Sequence, residues 1–159
     1  MSAIEALLSE IEGQWADVAA KAIVEKVTSE PALQFYAAGF WMFYADFTVL
    51  DPPNLSMNSE SYLAADKYGD SNRWIPPNLQ YDVIQSATDA MYPRYEQPSK
   101  ELAGGDEDVW EQTMDEHKQE IARVCRRVTA DPRAGTGEIA GVSGVPNSGR
   151  GLFEGQDGG

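Results

Sequence analysis

The 159-residue chain carries one histidine, His117, and one cysteine, Cys125. Nucleophilic or metal chemistry that needs an imidazole or a thiol must therefore run through these positions. A thiol becomes a nucleophile when a base lies within hydrogen-bond reach. On a helix, the step of eight residues from His117 to Cys125 corresponds to a rise of about 12 Å, too far for that contact. His117 lies in the run Asp115-Glu116-His117-Lys118-Gln119-Glu120. Carboxylate-bridged di-iron helices place Glu three residues before His, where this chain has Met114. A zinc protease motif needs a second histidine four residues on, which is lacking here. His117 also falls on an apolar helical stripe, which makes it a core or boundary histidine. The 26 acids are too many for any one pair to mark acid–base chemistry, and most read as a solvated face. No catalytic residue, cofactor or metal ligand is assigned.

Two glycine-rich stretches imitate nucleotide loops. In Gly144-Val145-Pro146-Asn147-Ser148-Gly149-Arg150-Gly151, arginine stands where a phosphate loop has lysine, and glycine where it has the magnesium-binding hydroxyl. No helical pattern follows to supply an N-terminal dipole. Gly135 to Gly141 has one residue too many for a dinucleotide fingerprint. The run Asp66-Lys67-Tyr68-Gly69-Asp70-Ser71-Asn72-Arg73-Trp74 carries more weight. It joins turn residues, both signs of charge and the Tyr, Arg and Trp types that anchor protein interfaces. Its bland counterpart has Trp74 in the core and Arg73 paired with a nearby acid.

The elements that position these residues follow from hydrophobic period. Ile4, Leu8, Ile11, Trp15, Val18 and Ala22 recur at steps of three and four, widened by Leu7 and Ile23. Ser2 and Glu5 have capping-box spacing, and Pro31 disfavours helix before it. A helix over residues 3–28 is predicted. The aromatic run of residues 33–44 suits a strand. Tyr44-Ala45-Asp46 offers a turn and Phe47-Thr48-Val49-Leu50 a returning strand, stopped by Asp51-Pro52-Pro53. Residues 59–68 form a short helix capped by Ser59, with Tyr62, Leu63 and Ala65 inward. Residues 79–92 predict another, marked by Tyr81, Ile84, Ala87 or Thr88, and Met91, and closed by Pro93. The last is capped by Asp106 or Asp108, carries Val109, Thr113, His117, Ile121, Val124 and Val128 on one side, and ends at Asp131-Pro132. Nine of the 14 glycines fall in residues 133–159, where residues 139–145 offer a weak strand within a flexible tail.

The chain is thus expected to hold one α+β domain over residues 1–131 and a glycine-rich tail over 132–159. The expected architecture is a small antiparallel sheet of three to four strands with long helices packed on one face. The formal charge is -14. That argues against nucleic acid and anionic membrane as partners, because both are held through Lys and Arg. A single cysteine permits no intrachain disulfide and suits a reducing cytoplasm. Met1-Ser2-Ala3-Ile4-Glu5 lacks the basic head and apolar core of a signal peptide. No stretch reaches the ~18 apolar residues of a membrane span. A cytoplasmic location is expected, and the Asn54-Leu55-Ser56 sequon is then a chance match.

The order of Phe35-Tyr36-Ala37-Ala38-Gly39-Phe40, Asn58-Ser59-Glu60 and Arg73-Trp74-Ile75-Pro76 resembles the bacterial domain of unknown function 4303 family over roughly residues 4–130. Those proteins are similar in having an N-terminal helix, an aromatic strand, a second strand ending near an Asn-Thr-Glu-like turn, and an Arg-Trp-x-Pro element. Serine replaces threonine in the turn here, and a glycine-rich tail stands where further strand sequence is expected. The family has no catalytic residues to carry over. The resemblance implies a non-enzymatic immunity protein that covers the active site of a cognate bacterial toxin domain. The acidity fits a basic protein partner, which electrostatic steering brings in quickly. Contact is expected at Tyr68, Asp70, Arg73, Trp74, Asp106, Glu107 and Asp108. The alternatives are a structural or regulatory domain with another ligand, and a carboxylate- or metal-dependent hydrolase.

Overall fold

The computed structural model describes residues 1–42, 50–73, 81–135 and 142–146. Helix α1 spans Ala3–Ser29 and opens with the capping box its sequence announces. The Ser2 hydroxyl accepts from the Glu5 amide at 3.2 Å, and the Glu5 carboxylate accepts from the Ser2 amide at 2.7 Å. Leu7, Leu8, Ile11, Trp15, Ala19, Ala22 and Ile23 form its buried face.

Strand β1 is Phe35–Met42, within the predicted aromatic run. Its antiparallel partner is β2, Asn54–Ser59, with Ala38 opposite Met57 and Phe40 opposite Leu55. Most of the returning strand expected at 47–50 lies outside the described residues, and Leu50 is buried but not in a strand. The two prolines expected to stop a strand stand directly before one. Proline is tolerated there because its missing N–H falls before the ladder begins. β2 reads Asn-Leu-Ser-Met-Asn-Ser, a period-two pattern that sends Leu55 and Met57 to the core and Ser56 and Asn58 to the other face.

Strand β3, Tyr81–Val83, pairs antiparallel with β2 and takes the place of the first residues of a predicted helix. Helix α3 starts later, at Gln85, and runs through Pro93 and Pro98 to Leu102. Each proline removes one helical hydrogen bond at a cost of about 3 kcal/mol. Burial of Met91, Tyr95, Pro98 and Leu102 along one face offsets that cost, so Pro93 does not end the helix. Helix α4 is Glu107–Ala130, with Asp106 as its cap accepting from the Asp108 amide at 2.8 Å. Its buried stripe is rotated from the predicted one at the start. Val109 is 52% exposed and Trp110 only 6%, whereas Thr113, His117, Ile121, Val124 and Val128 are buried as expected.

After the single turn α5, Pro132–Gly135, strand β4 at Val142–Pro146 pairs with β1 in parallel, Ala38 opposite Val142. The sheet order is β3-β2-β1-β4, so the antiparallel expectation fails at β4. A chain that returns to a strand's flank after a long crossover can run parallel to it, which a tight hairpin cannot. β4 overlaps the weak strand expected at residues 139–145; the other tail residues from 136 lie outside the described ones.

The fold is α+β, with α1, α3 and α4 contributing to one core. At its centre the Trp15 and Phe40 rings meet edge to face, with centroids 5.3 Å apart. Helix α2, Glu60–Ala65, packs through Leu63 against Tyr36 and Ala37 in a separate small cluster. Tyr62 is half-buried and Ala65 exposed, so only part of the inward face expected for this helix faces in. No helix among the described residues is long and apolar enough to cross a membrane.

Candidate functional site

Two hydrogen-bonded clusters concentrate the polar side chains that the fold buries. The first lies where β2 hands over to α2. Ser59 ends the strand and caps the helix, its hydroxyl accepting from the Tyr62 amide at 3.3 Å. The Asp66 carboxylate then accepts from the Tyr68 amide at 2.8 Å, turning the chain. Gly69 continues the turn at a φ of 52°, a left-handed conformation that a side chain would strain. A 3₁₀ turn, Gly69–Asn72, returns the backbone to the sheet at Arg73.

There the Arg73 guanidinium donates to both Glu60 oxygens, at 2.9 and 3.1 Å, a two-pronged geometry that arginine favours. It also lies over the Tyr36 ring, 4.6 Å from the centroid. The Tyr36 hydroxyl donates to the Arg73 carbonyl at 3.0 Å and accepts from the Asn58 side-chain amide at 2.9 Å. Asn58 in turn accepts from the Ser59 amide. Asn58 and Ser59 are fully buried, and beside them the Trp41 indole N–H donates to Ser56 at 2.8 Å. Residues from three separate segments, Tyr36, Asn58-Ser59-Glu60 and Arg73, therefore converge on one cluster.

This arrangement makes Arg73 a clamp that holds the 66–73 loop to the sheet, with its charge matched by Glu60. Tyr36→Phe removes the hydroxyl that joins Asn58 to the loop. The expected cost is roughly 1–3 kcal/mol, because buried groups lose a partner. Urea unfolding measures it, and hydrogen exchange should show faster opening of residues 66–73. A change within error in both measurements would remove the clamp role.

The remaining expected contact residues are spread out. Tyr68 is 60% exposed, with the Lys67 ammonium 4.6 Å from its ring centroid. Asp70 belongs to the 3₁₀ turn, and Trp74 lies outside the described residues. Asp106, Glu107 and Asp108 are exposed at the start of α4, with Asp106 also serving as the cap. The 3₁₀ turn packs on α2, whereas α4 packs on α1, β4 and α5, so the two groups stand on different parts of the framework.

The second cluster is in the core. The Trp15 indole N–H donates to the Tyr95 hydroxyl at 2.9 Å, and that hydroxyl lies 2.8 Å from His117 Nε2. Tryptophan can only donate, so Tyr95 accepts from it and has its own proton for His117 Nε2. That assigns the neutral ring's proton to Nδ1, which has no hydrogen-bond partner among the described residues. Burial pushes the imidazole down to about 4, so it is neutral at pH 7. Burial likewise pushes the Tyr95 hydroxyl up and the Cys125 thiol up to about 12, which leaves the thiol protonated and unreactive. Among the described residues, no three His, Cys, Asp or Glu side chains are grouped to hold a metal ion.

His117 is the core histidine its stripe suggested, but its partners had no local signal, since Tyr95 and Trp15 come from other helices. The Tyr36–Asn58–Arg73–Glu60 cluster is equally silent as a unit, although an acid partner for Arg73 is expected from the sequence and is Glu60. Comparison of the chain with protein-family models, curated proteins and solved structures finds no match in any of the three.

Proposed function

We propose that the chain is a non-enzymatic cytoplasmic binding protein of the immunity type, which neutralises a cognate bacterial toxin domain by covering its active site. The observation that carries this reading is the placement of its acidity. Of the net charge of -14, residues 1–130 account for -12, so the acids belong mainly to the domain and not to the tail. Asp106, Glu107 and Asp108 stand exposed together at the start of α4. A dense acidic patch speeds encounter with a basic partner and disfavours acidic ones. Tyr68 supplies an exposed aromatic anchor of the kind that interfaces bury. In this reading α1, α3 and α4 form one layer on the Ala38 and Phe40 face of a four-stranded sheet, which leaves the α2 side and the start of α4 for the partner. The short motifs that resemble the domain of unknown function 4303 family imply the same role, on the sequence alone.

The test is co-expression with the products of the neighbouring genes, among which the proposal requires a toxin domain. Protection of the host and a co-purified complex are expected. Glu107→Lys with Asp108→Lys keeps the Asp106 cap and should slow association by about tenfold at low salt, with a smaller effect at high salt. No protection and no complex with the neighbouring product would sink the proposal.

A further inference from the structure

Between the C-terminal half of α1 and the first turns of α3 the surface opens into a groove of about 920 Å³. That is the size of a site for a compact ligand or for the apolar side chains of one short helix. Val18, Ala22 and Val24 of α1 and Ala87 and Ala90 of α3 give it an apolar lining. Three of these are alanines, at positions where longer side chains would fill the space.

The charges at its edge are unequal in availability. Lys21 is held by Asp17 at 2.8 Å. Arg133 is held by the other oxygen of Asp17 at 3.0 Å and by Asp131 at 2.7 Å. Glu25 also lines the groove, and among the described residues it makes no hydrogen bond or ion pair. The cations at the rim are thus neutralised in place, while a carboxylate remains available in the field of a protein of charge -14.

We propose that this groove seats the apolar face of a cationic helical segment from a protein partner, with a Lys or Arg of that segment against Glu25. A groove walled by residues of two helices suits an amphipathic helix that presents apolar residues at steps of three and four. An anionic occupant would meet Glu25 and the overall field unfavourably. The inference concerns a surface apart from the start of α4, and it holds whether or not the partner is a toxin.

The probe is a short labelled peptide with leucines at helical spacing and lysines elsewhere, titrated by fluorescence anisotropy at physiological salt. A peptide with the same leucines and glutamates in place of the lysines is its counterpart. Saturable binding of the lysine peptide alone is expected. Ala90→Trp, at an exposed position of α3, fills the groove and should weaken binding at least about tenfold, the scale of a blocked anchor pocket. Glu25→Lys should weaken it several-fold more than Glu111→Lys, an equal charge change on α4 outside the groove. Circular dichroism confirms folding of each variant, and Glu25→Lys carries the test if Ala90→Trp does not fold. Equal effects of Glu25→Lys and Glu111→Lys would reduce the binding to bulk charge and overturn the proposal. So would undiminished binding by folded Ala90→Trp, no binding of the lysine peptide, or equal binding of the glutamate peptide. A concentration-dependent dimer in sedimentation that Ala90→Trp abolishes would make the occupant a second copy of the chain, and also overturns it. Failure of the toxin co-expression test with peptide binding intact counts against the previous reading and leaves this one standing.

Discussion

Trp15→Ala is expected to remove about 3–5 kcal/mol of folding stability, the scale for truncating a fully buried aromatic residue. That is comparable with the whole stability of many domains of this size, so a large unfolded population at ambient temperature is expected. Two losses combine at this position. The Trp15 ring is sealed from solvent and meets Phe40 edge to face, so its removal leaves a cavity where α1 meets β1. The same change deletes the N–H from which the buried Tyr95 hydroxyl accepts. Trp15→Phe separates the terms, because it keeps most of the ring and loses the hydrogen bond. It should cost roughly 1–3 kcal/mol. Urea unfolding of the three proteins decides the matter, with an unchanged slope showing that stability alone has moved. A loss below about 1 kcal/mol for Trp15→Ala would mean that the α1–sheet contact is not the centre of the core.

Acidification from pH 7 to 4 is expected to cost the native protein roughly 3 kcal/mol through His117 alone. The folded imidazole is held down to about 4, against 6.5 for the free group, and burial is the cause. Between those values the unfolded chain takes up the proton and the folded one does not. Stability is therefore intact above about 6.5, falls as the pH drops through the window, and levels off below about 4. Geometry enforces the shift: Nε2 faces the Tyr95 hydroxyl, and neither Tyr95 nor Trp15 offers a charge to an imidazolium. Carboxylates titrate over part of the same range, and relief of repulsion within a chain of charge -14 acts with the opposite sign. The His117 contribution is thus read as a difference from His117→Gln, whose side chain can still accept from Tyr95 and does not titrate. The native protein should lose stability relative to that variant as the pH falls. Parallel curves for the two between pH 7 and 4 would show that the imidazole does not titrate from a buried site.

Legibility in the residue string follows the range of each interaction. The boundaries of α1 were readable to within a residue or two because the Ser2–Glu5 box and Pro31 act over a few positions. The same holds for α4, whose Asp106 cap and stripe from Thr113 to Val128 are local signals. At its first turn the stripe is ambiguous in the sequence, since Val109 and Trp110 are both apolar and packing chooses between them. The sequence ends α3 at Pro93 because proline's local penalty is visible in it, whereas the burial of Tyr95 and Leu102 beyond it is not. The residue pattern offers no strand at 54–59, because Ser56 and Asn58 look like loop residues until Tyr36 and Trp41 satisfy them; only the family resemblance implied a second strand ending near Asn58-Ser59-Glu60.

Composition and spacing were enough to establish an acidic α+β chain with two long capped helices and a single histidine turned toward the core. Those properties depend on side-chain type and on neighbours within one helical turn. Strand pairing, the parallel return of β4 and both polar clusters had to await the folded chain. Tyr36 reaches Asn58 across 22 positions and Arg73 across 37, and Trp15 reaches Tyr95 across 80. Each of these buried donors is stable because its acceptor arrives from such a distance, and no local pattern encodes that arrival.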